Sequence, residues 1–209
     1  MNRKIMIVGR SGCGKDTLAM CLAQHFNMKQ LISTTTRPPR YEGEKAHVFV
    51  TEKEAETMTE RVAETVINGY QYFATKQQLD ECDVYVVDPK GLSDVCERAP
   101  ETNLCVVYVN ASKKVRKQRA IDRAEDHEEA ARVFDKRHAD ETKMFDTFEK
   151  MVYDDIDAFH EAYPTADVLI TLENEKSSIE LMTKKAELVN MFNNQMDLGG
   201  MFAPYVHRI

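Results

Sequence analysis

Residues 9–17 read Gly-Arg-Ser-Gly-Cys-Gly-Lys-Asp-Thr, directly after the apolar run Ile5–Val8. Three glycines and a lysine at this spacing suit an anion held by main chain as much as by side chains. Gly9, Gly12 and Gly14 can take positive φ and let a phosphate approach the backbone. The amides of Ser11, Gly12, Cys13, Gly14, Lys15, Asp16 and Thr17 then converge on it at a helix N-terminus. In the pattern G-x-x-x-x-G-K-[ST], the lysine reaches the β- and γ-phosphates and the following hydroxyl holds Mg²⁺. Here position 16 is Asp and the hydroxyl comes one residue later, on Thr17. Carboxylate and hydroxyl are both hard oxygen donors suited to Mg²⁺, so Asp16 and Thr17 are the candidate metal ligands. The other reading of Asp16 is a charge that favours the positive end of the helix dipole.

A second anion site follows in Ser33-Thr-Thr-Thr-Arg37-Pro-Pro-Arg40. Two guanidinium groups lie three residues apart on a segment stiffened by proline, each a planar fork that matches phosphate oxygens. Further along, Arg119 and Arg123 are four apart and share one face of a helix. Two anion sites and several arginines suit phosphoryl transfer, which needs positioning and charge neutralisation more than covalent chemistry.

The elements that must hold these groups are legible as alternating patterns. Ile5–Val8, Val84–Val87, Leu104–Val109 and Val168–Leu172 are short continuous apolar runs, as in strands covered on both faces of a parallel sheet. Between them, Asp16–Phe26, Ser112–Arg123, Glu128–Phe148 and Ser177–Phe192 carry helical spacing. The alternation predicts an α/β fold, a central parallel sheet flanked by helices. Residues 34–75 break it: turn-rich, then the short alternating runs His47–Val50, Val62–Ile67 and Tyr70–Ala74, with a helix near Glu52–Thr59. They read as an inserted subdomain of short antiparallel strands and one helix. Asp146–Tyr163 is extra helical sequence, and Leu198–Ile209 is either a packed tail or a contact surface.

A chain of 209 residues with 43% apolar content fits one domain, 1–209. Its net charge of −7 argues against a general nucleic-acid binder. No apolar run approaches the ~20 residues of a membrane span. The start shows no signal-peptide pattern, so a cytoplasmic protein is expected, monomer or homodimer. The five cysteines, Cys13, Cys21, Cys82, Cys96 and Cys105, are odd in number and lack metal-ligand spacing; they read as reduced thiols. Cys13 is either a thiol activated by the loop amides or a small filler.

Through residues 3–140 the chain resembles guanylate kinase. The loop GRSGCGKDT is similar to that family's GPSGAGKST, and Ser33 to Arg40 to its S-x-T-T-R-x-P-R. Gly43-Glu44, His47–Val50, Gly69–Thr75, the strand ending Asp88-Pro-Lys-Gly91 and the arginine helix through Arg123 follow in the family's order. The resemblance implies a P-loop kinase fold in which residues 34–75 are the acceptor (nucleoside-monophosphate) subdomain and residues 124–130 a mobile lid turn. It implies ATP as donor, Mg²⁺, and GMP or dGMP as the small phosphorylated acceptor. Lys15, Arg37, Arg119, Arg123 and Arg137 would neutralise the transferred group. Arg37, Arg40 and Tyr72 would hold the acceptor phosphate, and Ser33, Glu64 and Asp88 would read the base.

The chain departs from the family in four places. By spacing, the base-reading glutamate falls on Ala63 with Glu64 next to it, and the family's next arginine falls on Phe134, which leaves Arg132 or Arg137, with Arg137 preferred because Lys136-Arg137 copies the local Lys-Arg pair. His47 stands for a phosphate-contacting tyrosine, and Ala74 for a serine. Gly14-Lys-Asp-Thr17 is also similar to the Gly-Lys-Asp-Ser of ribose 1,5-bisphosphate kinases, which keeps that acceptor open beside another (deoxy)nucleotide. A non-catalytic guanylate-kinase-like module usually loses the loop lysine and glycines, all present here. Asn174 would touch the adenine of ATP.

Overall fold

The computed structural model describes residues 3–67, 69–176, 178–195 and 205–208. The chain opens with β1 (Lys4–Val8) and α1 (Lys15–Phe26), then β2 (Thr34–Thr35), β3 (Val48–Phe49) and α2 (Glu52–Thr57). It continues with β4 (Arg61–Ile67), β5 (Tyr70–Thr75), α3 (Lys76–Glu81), β6 (Val84–Val86) and α4 (Pro89–Arg98). After these come β7 (Leu104–Asn110), α5 (Lys113–Asp122), α6 (His127–Asp154) and α7 (Ile156–Ala162). The last elements are β8 (Ala166–Glu173), α8 (Ile179–Gln195) and β9 (Tyr205–Arg208).

The main sheet is five-stranded, in the order β6-β1-β7-β8-β9, with every pairing parallel. Alternation along each strand sorts the apolar residues onto two faces. Met6, Val8, Tyr108 and Leu169 pack under α4, α6 and α7, with Leu92, Phe145, Phe148 and Phe159. Ile5, Ile7, Val107 and Ile170 pack under α1 and α8, with Leu18, Leu22, Met182 and Val189. Because both faces are covered, the strands need continuous apolar runs rather than alternating ones. Phe148 is fully buried and meets Tyr108, Phe159 and Tyr163 edge-on, a burial worth about 2–3 kcal/mol.

A second sheet, β3-β2-β5-β4, lies wholly within residues 34–75. β4 and β5 form an antiparallel hairpin, and β2 pairs antiparallel with β5 and parallel with β3.

Two helices are absent from the periodicity reading, although each carries a terminal signal. Thr75 and Gln78 form a reciprocal capping box at the start of α3. Asp88 caps α4 through the Gly91 amide, with Pro89 at the first helical position. The stretch 146–163 is the end of α6 and the whole of α7. α6 runs past the expected Phe148 because Val152 continues the stripe that buries Phe145 and Phe148. Of the closing segment, 205–208 adds a strand beside β8, Val168 facing Tyr205 in register; the remainder lies outside the described residues, as does Ser177.

Candidate functional site

The loop between β1 and α1 has the backbone that its glycines permit. Gly12 and Gly14 sit at φ 81° and 108°, in the region closed to most side chains. A Cβ at Gly14 would lie 2.5 Å from Nδ2 of Asn174, and one at Gly9 would lie 2.3 Å from the Val109 carbonyl. Space therefore excludes side chains at both places. Gly14 is the N-cap of α1 and offers no side-chain cap, which leaves amides of the first turn free for an anion.

A cavity of about 380 Å³ opens on this turn. Gly12, Gly14, Lys15, Asp16 and Thr17 line one side, Arg119, Asp122 and Arg123 of α5 another, and Asn174, Lys176, Ser178, Ile179 and Met182 the third. The structure thus brings together the loop, Arg119 and Arg123. Asp16 and Thr17 both face the cavity beside Lys15, so a carboxylate and a hydroxyl are placed to meet a phosphate-bound Mg²⁺. These donors fit the ion, which takes one or two protein oxygens and completes its shell from phosphate and water. Cys13 is fully buried, and burial raises its thiol pKa; it fills space under Gly9 and is no nucleophile.

Other groups supporting the loop escape the sequence reading. Asn174 is buried, and its Nδ2 donates to the Cys13 carbonyl at 2.7 Å. It braces the loop as well as lining the cavity. Arg119 donates to the carbonyls of Gly12 and Cys13, both at 3.2 Å, and to that of Asn174 at 2.8 Å. It ties α5 to the loop as well as lining the cavity. Arg123 donates Nε to the Arg119 carbonyl at 2.9 Å. Arg116, one turn earlier, is buried beneath Phe134 and donates to the Ala111 and Ser11 carbonyls. Phe134, where the family spacing places an arginine, is thus a packing residue.

Arg10 was also unread, because the second position of the loop carries no motif requirement. Its side chain is 7% exposed and pairs with Asp146 and Glu149 of α6, the latter at 2.7 Å. Burial works against the charge, but the bonds from both carboxylates outweigh it and raise the pKa of Arg10. Tyr108 donates its hydroxyl to Glu149, so the carboxylate is itself satisfied. From the same helix, Glu141 accepts from both the amide and the hydroxyl of Ser11 and from Nε of Arg137 at 3.1 Å. Arg132 pairs with Glu129 on the exposed side of α6. Of the two candidate arginines, Arg137 is the one joined to the loop.

The second arginine site is built around Glu44. Arg37 and Glu44 pair at 2.8 Å, with side chains 10% and 3% exposed. The Arg40 amide donates to the same carboxylate at 2.7 Å, while the rest of Arg40 is exposed. Hydrogen bonds from Arg37 first, then from the Arg40 amide, hold the Glu44 carboxyl below its ordinary range. Arg37 keeps its charge through Glu44, and Tyr72 adds to that effect. The guanidinium lies 5.2 Å from the centre of the Phe49 ring. Ser33 Oγ and His47 Nδ1 are 3.0 Å apart, and the His47 ring stands edge-on to Tyr72 at 5.3 Å. Burial, then the charge of Arg37, lowers the pKa of His47, so the ring is neutral at pH 7. Ser33, Arg37, His47 and Tyr72 therefore form one polar face.

Glu64 is turned away from that face. Thr65 stands opposite Tyr72 and Glu64 opposite Phe73, and one residue along a strand reverses the side. Glu64 instead pairs with Arg61, whose guanidinium lies 3.9 Å from the centre of the Phe73 ring. The positions on the Tyr72 side are Thr65 and Ala63, the latter 3% exposed. A Cβ built on Gly91 would be 3.7 Å from Ala63 and 3.4 Å from Oδ1 of Asp88. Asp88 thus lies near Ala63, but its carboxylate caps the helix, accepting from the Gly91 amide at 2.7 Å.

No family model matches this chain, and no curated protein matches it. Among solved structures it is similar to the guanylate kinase of Anaplasma phagocytophilum, with a TM-score of 0.50 and 16% identity over 94% of this chain and 89% of that one. It is also similar to a shikimate kinase from Bacteroides thetaiotaomicron (TM-score 0.42, 15% identity, 94% of this chain and 99% of the other). A sugar kinase from Janibacter sp. HTCC2649 gives a TM-score of 0.44 at 13% identity, over 91% and 95% of the two chains. The first of these likenesses carries the fold alone: an α/β architecture, with a parallel sheet between layers of helices, shared with that kinase. Among the described residues, no helix is long and apolar enough to cross a membrane.

Proposed function

We propose that the protein is an ATP-dependent phosphotransferase acting on a small phosphorylated acceptor, of the nucleoside monophosphate kinase type, with GMP or dGMP as the acceptor. The observation that carries this reading is the pairing of a glycine-built phosphate loop and its cavity with a second arginine site on an inserted sheet. In the reaction, an oxygen of the acceptor phosphate attacks the γ-phosphorus of ATP. The bond from that phosphorus to the bridging oxygen breaks, and ADP leaves. Lys15 and the loop amides hold the donor phosphates, with Arg119 and Arg123 across the cavity. Arg37, Arg40 and Tyr72 orient the acceptor phosphate. Mg²⁺, held by Asp16 and Thr17, would supply Lewis-acid neutralisation of the phosphate charge. Residues 34–75 serve as the acceptor subdomain, residues 124–130 close as a lid that excludes water, and the enzyme works in the cytoplasm.

The orientation of Glu64 favours a second reading for the acceptor. A guanine edge offers donors that call for a carboxylate, yet the β4 residues on the Tyr72 side are Ala63 and Thr65. That suits ribose 1,5-bisphosphate or another (deoxy)nucleotide better than GMP. A coupled ADP-release assay across GMP, dGMP, the other monophosphates and ribose 1,5-bisphosphate separates the two. Turnover confined to guanine nucleotides supports the first reading, and turnover confined to the sugar bisphosphate replaces it. No turnover with any acceptor, together with no ATP binding, removes both.

A further inference from the structure

Three carboxylates of α6 reach the phosphate loop, and they do so in two different ways. Asp146 and Glu149 close on Arg10, buried beside the Phe145 ring and backed by Tyr108. This contact belongs to the core and holds the C-terminal half of the helix in place. Glu141, on the same helix, takes donors that the loop would otherwise present to a phosphate. It accepts from the Ser11 amide at 3.1 Å, from the Ser11 hydroxyl, and from Arg137 Nε at 3.1 Å. A backbone N–H, a hydroxyl and an arginine N–H converging on two anionic oxygens reproduce the bonding of a bound phosphate. Burial would raise the Glu141 carboxyl, but Ser11, then Arg137 and Lys15, lower it. Its anionic state is thus stabilised by the groups that the donor-site reading gives to the terminal phosphates. A carboxylate and a terminal phosphate cannot both accept from Ser11, and their charges repel in so small a space.

We infer that Glu141 is a built-in occupant of the phosphate loop, which the terminal phosphate of ATP displaces on binding. Displacement breaks the Ser11–Glu141 contact and frees Arg137, whose side chain is 66% exposed, for the transferred group. The Arg10 contact keeps α6 anchored throughout. The loop then discriminates by phosphate number: ATP pays for ejecting the carboxylate, whereas ADP, ending one phosphate short, leaves it in place. This inference rests on the reading of the loop as the ATP site.

Calorimetric titration of the full chain and of Glu141→Gln with Mg-ATP, Mg-ADP and Mg-tripolyphosphate tests it. Glu141→Gln is expected to bind Mg-ATP about fivefold or more tightly, with Mg-ADP changed by less than about twofold. Glu141→Ala should move in the same direction. On the unaltered protein, the Ser11 amide resonance should shift with Mg-ATP and far less with Mg-ADP. If the full chain binds Mg-ATP but neither variant binds it more tightly, or if Ser11 responds equally to both nucleotides, the inference falls and the donor-site reading stands. If neither Mg-ATP nor tripolyphosphate binds any of the proteins, both fall.

Discussion

The two arginine–carboxylate pairs that brace the candidate site are built on opposite plans. Arg10 of the phosphate loop finds its partners 136 and 139 residues away on α6. Arg37 finds Glu44 only seven residues along, inside one turn-rich segment. The glycine-rich loop is therefore shaped by the assembled fold: α5 through Arg116 and Arg119, the end of β8 through Asn174, and α6 through Glu141 and Glu149. The inserted segment largely shapes itself, with Glu44 gathering the Arg37 guanidinium and the Arg40 amide around one carboxylate. The hairpin beside it leaves Val66, Ile67 and Tyr70 exposed at its end, whereas the main sheet buries almost every apolar residue it carries. A site assembled at long range fails when packing fails. One assembled locally can vary its specificity without disturbing the core.

This contrast can be tested by changes on either side. Lys15→Ala removes the charge facing the donor phosphates and should lower kcat about 10³-fold, with the thermal melt unchanged; steady-state kinetics beside a melting curve reads both. Arg10→Ala should instead act through stability. It strips a buried cation from two carboxylates and is expected to cost about 3 kcal/mol, seen as a lower urea midpoint. A loss no larger than that of an exposed substitution would show that the loop is not braced through α6.

On the acceptor side, Tyr72→Phe should raise the acceptor KM about tenfold, the cost of one hydrogen bond to a charged group. Glu64→Gln should leave that KM within about twofold. Equal effects would mean that the strand register does not separate the two side chains. The smallest effect concerns pH. Arg37 holds Glu44 below its ordinary value of 4.5, so the pair's contribution is complete at neutral pH. It is lost as pH falls below 4.5 through the lower folded value. Glu44→Gln should flatten that acid limb of the stability profile, measured by urea unfolding from pH 7 to pH 3.

Much of this site was legible because it is local. The loop glycines, Lys15 and the hydroxyl after it lie within nine residues, and their backbone demands are met by residue type alone. Ser33, Arg37 and Tyr72 also meet on one face, since strand alternation and a short turn bring them together. Glu64 lies one residue off the Tyr72 side: spacing along a chain tolerates such a step, but a pleated strand inverts it. The helices α3 and α4 were missed because they are short, although their caps at Thr75 and Asp88 were in plain sight.

The residue pattern by itself determined the alternation of strands and helices, the glycine-built turn before α1, and the paired arginines of the inserted segment. Those features depend on φ/ψ preference and on side-chain period, which neighbours in the chain dictate. Only the tertiary structure decided that Asn174 supports the loop, that Arg10 is locked to α6, and that Glu141 sits on the donors of Ser11. These contacts span 130 to 161 residues. They depend on how helices settle against the sheet as the core closes, and no short stretch of sequence encodes that distance.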